Sequence, residues 1–333
     1  LMERLAAYAS SSGELMAELI EVQAFEKLRS AVNEVVVSYG DGLPLESVIM
    51  LHAALLSFAL HCYRDELQYV NSVLESAAKV LSKTPNISDT SVVRSIVKLL
   101  TKPLEAYKDV CTVLELSSYP QVAGTLQFVT AKAMAIEVIN AILSSGTIIS
   151  QVVQVEKLFS FLRLLVDNDE IPEDEEIDEE ELEEEQVLVS KVLHQLWNDD
   201  TDVCFEILEC IRTHLLKGGP ERTVYTLPPL AFLALRLERA VRERVKAGNT
   251  PKVSVKKVLQ FLHSTLEILV NQCDAYEIGL RLLLLSAESA AQAGLEAIAY
   301  EFCEQAFIVY EENISETRMQ ITALKLIVGT MNR

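Results

Sequence analysis

Residues 252–312 read KVSVKKVLQFLHSTLEILVNQCDAYEIGLRLLLLSAESAAQAGLEAIAYEFCEQAFIVYEE, and the reading of this stretch decides the fold class. Apolar side chains recur at spacings of three and four throughout, the period of an amphipathic helix rather than the alternation of a strand. Asn249-Thr250-Pro251 marks its start and Gly294 interrupts it, so three helices are predicted near 252–272, 275–293 and 295–312. Connections this short force successive helices to run antiparallel.

The same period continues in both directions. Downstream it predicts a helix near 315–331. Upstream it predicts helices near 1–11, 15–38, 44–62, 65–84, 90–101, 103–116, 127–144, 149–166, 182–198, 201–217 and 228–247. Gly40-Asp41-Gly42 with Pro44, Thr84-Pro85-Asn86, Ser144-Ser145-Gly146 and Lys217-Gly218-Gly219-Pro220 punctuate them. Pro228 and Pro229 are expected to open their helix, where backbone N–H groups have no partner in any case. Each two-helix unit is roughly 35–45 residues, the period of HEAT-like arrays. A lone hairpin cannot bury its apolar stripe, whereas stacked neighbours share one core. The predicted fold is therefore all-α, a right-handed α-solenoid of stacked antiparallel helix hairpins, taken as a single solenoid over residues 1–333. Both ends of the sequence fall within or near apolar helices, which predicts exposed apolar surface at one or both of them.

Half of the 333 residues are apolar and mean hydropathy is +0.22, so a membrane span has to be weighed. The longest charge-free stretch, Val138 to Val155, is long enough to span, but Ser144, Ser145, Gly146 and Thr147 divide it. Two helices meeting at a turn account for it better. A net charge of −20 argues against nucleic acid as a partner, because phosphate contact needs basic surface. From Asp167 to Glu185 fourteen residues are acidic and none is basic, which supplies 14 of those 20 charges. Repulsion should leave Glu170–Glu181 a flexible interhelical loop. Glu183–Glu185 would sit at the positive start of the next helix. The run lacks the glycine-turned spacing of a calcium loop.

Nothing in the sequence carries catalytic or cofactor chemistry. His52 and His61 lie nine residues apart, without metal-ligand spacing, and His194 and Trp197 are expected to share one helix flank. Pro220 spoils Gly218-Gly219 as a phosphate cradle, since it has no N–H to donate. Glu206 and Glu209 are a helix-surface pair. The six cysteines form no C-x-x-C pair and read as thiols on apolar helix faces. No enzyme, cofactor or metal is predicted.

One stretch is distinctive: Arg222-Thr223-Val224-Tyr225-Thr226-Leu227-Pro228-Pro229-Leu230-Ala231-Phe232. Together with Tyr300-Glu301-Phe302, Gln305-Ala306-Phe307 and Ile327-Val328-Gly329-Thr330, it resembles the vacuolar protein sorting-associated protein 35 family, the helical-solenoid subunits of retromer. Leu1-Met2-Glu3-Arg4-Leu5-Ala6, Cys62-Tyr63-Arg64-Asp65 with Tyr69-Val70, and Glu185-Gln186-Val187-Leu188-Val189 after the acidic run are similar to further family segments. Arg64 stands where the family usually has proline. The threonine-leucine-proline-proline-leucine motif is the specific part, and the resemblance touches the whole chain in order.

The resemblance implies a scaffold of an endosome-associated coat that retrieves transmembrane cargo toward the Golgi or plasma membrane, cytoplasmic and peripheral on the membrane. The implied partners are a metallophosphoesterase-fold subunit, bound through the C-terminal half, and an arrestin-like subunit, bound only by a full-length chain because the family's N-terminal motif is absent here. A homotypic solenoid contact is implied at Glu311, Glu312, Asn313 and Glu316, where Asn313 replaces an acid. The alternative from composition and periodicity alone is a generic HEAT-like or TPR-like adaptor or transport receptor.

Overall fold

A computed structural model describes residues 2–11, 18–19, 23–39, 42–84, 87–172 and 178–332. The chain forms two compact units, Leu1–Thr147 and Ile148–Arg333. Among the described residues both units are helical and neither contains a strand. The nearest approach to one is a parallel bridge between Ile149 and Leu196.

The first unit contains α1 (Met2–Ser11), α2 (Ala24–Tyr39), α3 (Leu45–Cys62), α4 (Leu67–Leu81), α5 (Thr90–Ala106), α6 (Val110–Leu114), α7 (Tyr119–Ala123) and α8 (Phe128–Ser145). The central helix is α3, apolar on nearly every side, and it packs against α1, α2, α4 and α5. By length and composition α3 and α8 could each cross a membrane. Most of α3 is instead enclosed by its neighbours, with Ile49, Leu56, Phe58 and Ala59 fully buried. At the other end α8 stops at Gly146, whose φ of +66° closes the helix in the left-handed conformation that glycine adopts without strain. The charge-free stretch thus divides at the expected turn.

Two sequence expectations need correction here. Helix α5 does not stop before Pro103 but runs through it to Ala106. Pro103 removes the N–H that Leu99 would accept, and Tyr119 Oη donates to the adjacent Leu100 carbonyl at 2.9 Å. The predicted 103–116 helix is accordingly replaced by the end of α5 and the short α6, after which α7 is an element that periodicity did not suggest. The start of the predicted 15–38 helix falls partly outside the described residues.

The second unit contains α9 (Val152–Phe161), α10 (Arg163–Val166), α11 (Glu179–Leu193), α12 (Thr201–Leu215), α13 (Gly219–Lys246), α14 (Val255–Asn271), α15 (Tyr276–Gln292), α16 (Glu296–Glu312) and α17 (Thr317–Met331). From α13 onward each helix packs on the next and on the next but one, which is the contact pattern of an α-solenoid. Polar caps set the starts: Asp200 Oδ1 accepts from Asp202 N at 2.9 Å, and Ser254 Oγ from Lys257 N at 3.2 Å. The shared core is built from Leu227, Leu230, Leu237 and Val241 of α13 with Leu259, Leu262, Leu266 and Leu269 of α14. Leu280, Leu283, Phe302 and Ala306 continue it through α15 and α16. Each large apolar side chain buried in this way contributes about 1.5–3 kcal/mol.

The largest correction concerns α13. Pro228 and Pro229 do not open it; they lie in its interior, and the helix begins nine residues earlier at Gly219-Pro220. Pro229 cannot donate to the Tyr225 carbonyl, and Ser190 Oγ of α11 supplies that hydrogen bond instead, at 2.9 Å. A neighbouring helix thus satisfies what the proline takes away, which is why periodicity outweighs the breaker.

Candidate functional site

The residues singled out from the sequence, Glu311, Glu312, Asn313 and Glu316, occupy the last turn of α16 and the loop into α17. Ile314 pins this loop from below, being 4% exposed, and its carbonyl accepts from Gln320 Nε2 at 2.9 Å. Asn313 N closes the end of α16 on the Val309 carbonyl at 3.1 Å, and Gln320 N reaches the Glu316 carbonyl at 2.8 Å. With the apolar residue turned inward, Glu311, Glu312, Asn313 and Glu316 are all exposed, so the structure does bring the four together. No ion pair involves the three glutamates among the described residues. A shallow groove lined by Glu277, Leu280, Arg281, Ile314, Met319 and Leu326 runs beneath the loop. Next to it Tyr276 Oη donates to Asp274 Oδ1, and this bond, which favours the protonated phenol, raises the tyrosine pKa.

Exposed apolar residues continue from this loop along α17. Ile321, Leu324, Val328 and Met331 are 51%, 45%, 49% and 63% exposed and fall at spacings of three and four. On the adjoining face, Ala323 and Ile327 are buried. The N-terminal part of the chain shows the same property at Tyr8, Val37 and Tyr39.

The acidic run is organised differently. Asp178 caps α11, accepting from Glu181 N at 2.9 Å, so Glu179, Glu180 and Glu181 are helical rather than loop. At this end the expectation of a flexible Glu170–Glu181 loop is therefore corrected: three acids at a helix start are stabilised by its dipole. Asn168–Glu170 form a 3-10 turn, and residues 173–177 lie outside the described residues. The root of this tract holds a buried polar cluster that the sequence did not reveal. Arg222, 4% exposed, donates through Nε to Asn168 Oδ1 at 2.8 Å and through Nη1 to the Leu165 carbonyl. Gln186 Nε2 shares that carbonyl at 2.9 Å. Burial lowers the Arg222 pKa, and the charge of nearby Glu185, itself 4% exposed, works against that shift. Outside the cluster, Lys217 approaches Asp167 at 3.7 Å and Arg163 approaches Glu170 at 3.6 Å.

The glycine pair makes room for this arrangement. A methyl on Gly218 would stand 2.9 Å from the Val166 carbonyl and 2.9 Å from Arg222 Cδ. Gly219 has φ +66° and ψ −178°, a conformation essentially reserved for glycine. In the sequence Gly218-Gly219-Pro220 reads only as a stop signal. Its second role depends on an arginine two residues past the proline and a carbonyl more than fifty residues upstream.

The remaining chemistry-bearing residues are placed separately. His52 is buried, with Nδ1 2.8 Å from the Val48 carbonyl, and its pKa is lowered by burial. Cys62 and Cys204 are buried and the other four cysteines are half-buried, all unpaired, with burial pushing the Cys204 thiol up to about 11. Glu206 and Glu209 are exposed. His194 and Trp197 do not share a helix flank, because α11 ends at Leu193; Trp197 lies in the following turn, where its N–H donates to the Ile149 carbonyl at 3.1 Å.

Comparison with known proteins gives one consistent answer. The family model described as vacuolar protein sorting-associated protein 35 matches residues 1–333. The chain is 38% identical over 335 residues to vacuolar protein sorting-associated protein 35A of Arabidopsis thaliana and 40% identical over 335 residues to protein 35C of the same plant. Each alignment covers 100% of this chain and 42% of the relative. A Dictyostelium discoideum relative, vacuolar protein sorting-associated protein 35, is 28% identical over 341 residues, covering 100% of this chain and 43% of the relative. The chain spans less than half the length of these curated relatives.

Proposed function

Because the chain belongs to the vacuolar protein sorting-associated protein 35 family, we propose that it is a stretch of the non-catalytic scaffold of retromer. In this reading it mediates assembly of an endosomal coat for protein transport to the Golgi or plasma membrane. The observation that carries the reading is the match over all of residues 1–333, on a fold whose helices stack as consecutive pairs. A stacked array offers long faces and edges for large protein interfaces, the physical requirement of a scaffold. Within the second unit Arg222 and Glu238, both shifted in pKa by burial, are packed among helices, in keeping with a structural role.

The proposal assigns binding of the metallophosphoesterase-fold subunit to the C-terminal half, and of the arrestin-like subunit to the full-length chain alone. It assigns a homotypic contact to Glu311, Glu312, Asn313 and Glu316. It places the protein in the cytoplasm, peripheral on endosomal membranes through its partners, and takes residues 1–333 as one solenoid. The exposed carboxylates of the α16–α17 loop support the homotypic assignment, since no ion pair among the described residues competes for them.

A pull-down with the metallophosphoesterase-fold subunit, using the chain extended to its native C-terminus, tests the reading. Retention of that subunit is expected. Its absence from the bound fraction would remove the retromer assignment and leave a generic helical-repeat adaptor.

A further inference from the structure

Trp197 is the only tryptophan of the chain, and it is half-buried on a rigid support. Its backbone N–H reaches the Ile149 carbonyl at 3.1 Å, Ile149 N reaches the Gln195 carbonyl at 2.9 Å, and Asn198 Nδ2 reaches the Ser150 carbonyl at 2.8 Å. Over the indole lies the guanidinium of Arg236, its Cζ 3.8 Å from the ring centroid. A guanidinium over an indole face gains cation–π attraction there and still has N–H donors to offer an acceptor.

In a chain with 49 acidic and 29 basic residues, several helical arginines are paired with carboxylates on their own helix. Arg239 pairs with Glu243 at 3.0 Å, Arg242 with Glu238 at 3.3 Å and Arg281 with Glu277 at 3.8 Å, each four residues apart. Arg236 does not. Its neighbours three and four residues away on α13 are Phe232, Leu233, Arg239 and Ala240, so no acid shares its face. No hydrogen bond or ion pair of Arg236 is found among the described residues. One turn before it Phe232 is 46% exposed, although α13 buries most of its other large apolar residues.

From this juxtaposition we propose that Trp197, Arg236 and Phe232 form a docking site for a peptide segment that carries a carboxylate next to a bulky apolar side chain. The carboxylate accepts from the open N–H edge of Arg236, in the bidentate geometry that guanidinium favours. The apolar side chain covers Phe232 and the exposed rim of Trp197. Tryptophan and arginine are the residue types that dominate binding energy in interfaces, and here the guanidinium already lies over the indole before any partner arrives. A lipid surface fits less well. A flat anionic bilayer meets the field of the whole chain, which is −20, whereas a short peptide meets only the local cation. The site is independent of the scaffold reading, which assigns nothing to these residues.

The lone tryptophan gives the test. The probe is the hexapeptide Gly-Asp-Phe-Asp-Ile-Gly, with Gly-Lys-Phe-Lys-Ile-Gly as its charge-reversed counterpart, each titrated while Trp197 emission is recorded. A saturable emission change with the acidic peptide and none with the lysine peptide is expected. Polarisation of the labelled acidic peptide should show Arg236→Gln weakening binding about tenfold or more, since one charge-assisted contact is lost. Phe232→Ala should also weaken it, and both variants should melt with the wild type because both side chains are exposed. Three results would overturn the site: no saturable change up to about 1 mM, the affinity range of the weakest specific complexes; unchanged binding by Arg236→Gln; or an emission response to phosphatidylserine vesicles in the absence of any response to the peptide.

Discussion

Two acidic turns of the second unit are built in opposite ways. At the root of the acidic run, Arg222, Gln186 and Asn168 converge on the Leu165 carbonyl and its surroundings, and Gly218-Gly219 lets the chain close over them. At the α16–α17 turn one isoleucine is buried, and Glu311, Glu312 and Glu316 keep their carboxylates in solvent. The first spends its polar groups on holding the chain together; the second leaves them free. Negative charge alone therefore does not mark an interaction surface. What separates the two is whether the chain already supplies the partner.

Substitutions should split along this line. Arg222→Met removes one of the two donors to the buried Leu165 carbonyl and takes the donor from Asn168 Oδ1. A loss of about 3–5 kcal/mol in urea unfolding is expected, the usual effect of breaking a buried charged network. A loss under about 1 kcal/mol would mean that water replaces the guanidinium. Gly219→Ala places a Cβ at 2.9 Å from Asn168 Nδ2 in a conformation that alanine avoids. It should cost about 2–3 kcal/mol, read as a lower urea midpoint with an unchanged slope. Ser190→Ala leaves the Tyr225 carbonyl without the donor that stands in for Pro229. A smaller loss is expected, about 1–2 kcal/mol, and Ser190→Thr should restore part of it. At the other turn, the double change Glu311→Gln and Glu312→Gln should alter stability by less than about 0.5 kcal/mol. It should reduce self-association, measured by sedimentation on the chain extended to its native C-terminus. If the double variant melts well below the wild type, the turn is structural and the comparison fails.

The sequence carried the helices and their order, because apolar period survives every local exception. It carried less of the boundaries. From the sequence Pro103, Pro228 and Pro229 stand at predicted helix starts, and each lies inside a helix. Local propensity disfavours them there, but it cannot register the tertiary context; at Pro229 that context includes the hydroxyl from Ser190, thirty-five residues before Tyr225 in order, that replaces the missing donor. Charge repulsion alone predicts a loop at Glu179–Glu181, and the cap at Asp178 makes them helical. The exposed carboxylates at Glu311, Glu312 and Glu316 could be named from family resemblance, since a surface loop needs only its neighbours in sequence. The Arg222 cluster and the Trp197–Arg236 stack could not. Each depends on residues brought together by packing, and nothing in the spacing of an arginine tells whether it will lie under a helix or over an indole.

The hydroxyl bridge from Ser190 to the Tyr225 carbonyl has a mechanical consequence. Helices that touch only through apolar side chains can slide along one another by a turn, about 5.4 Å, and recover similar contacts. Here such a slip would carry the serine past a carbonyl whose own N–H partner is missing, leaving a bare acceptor behind. The seam between α11 and α13 is therefore notched, and when force is drawn along the helices it should yield there later than at seams that are merely greasy.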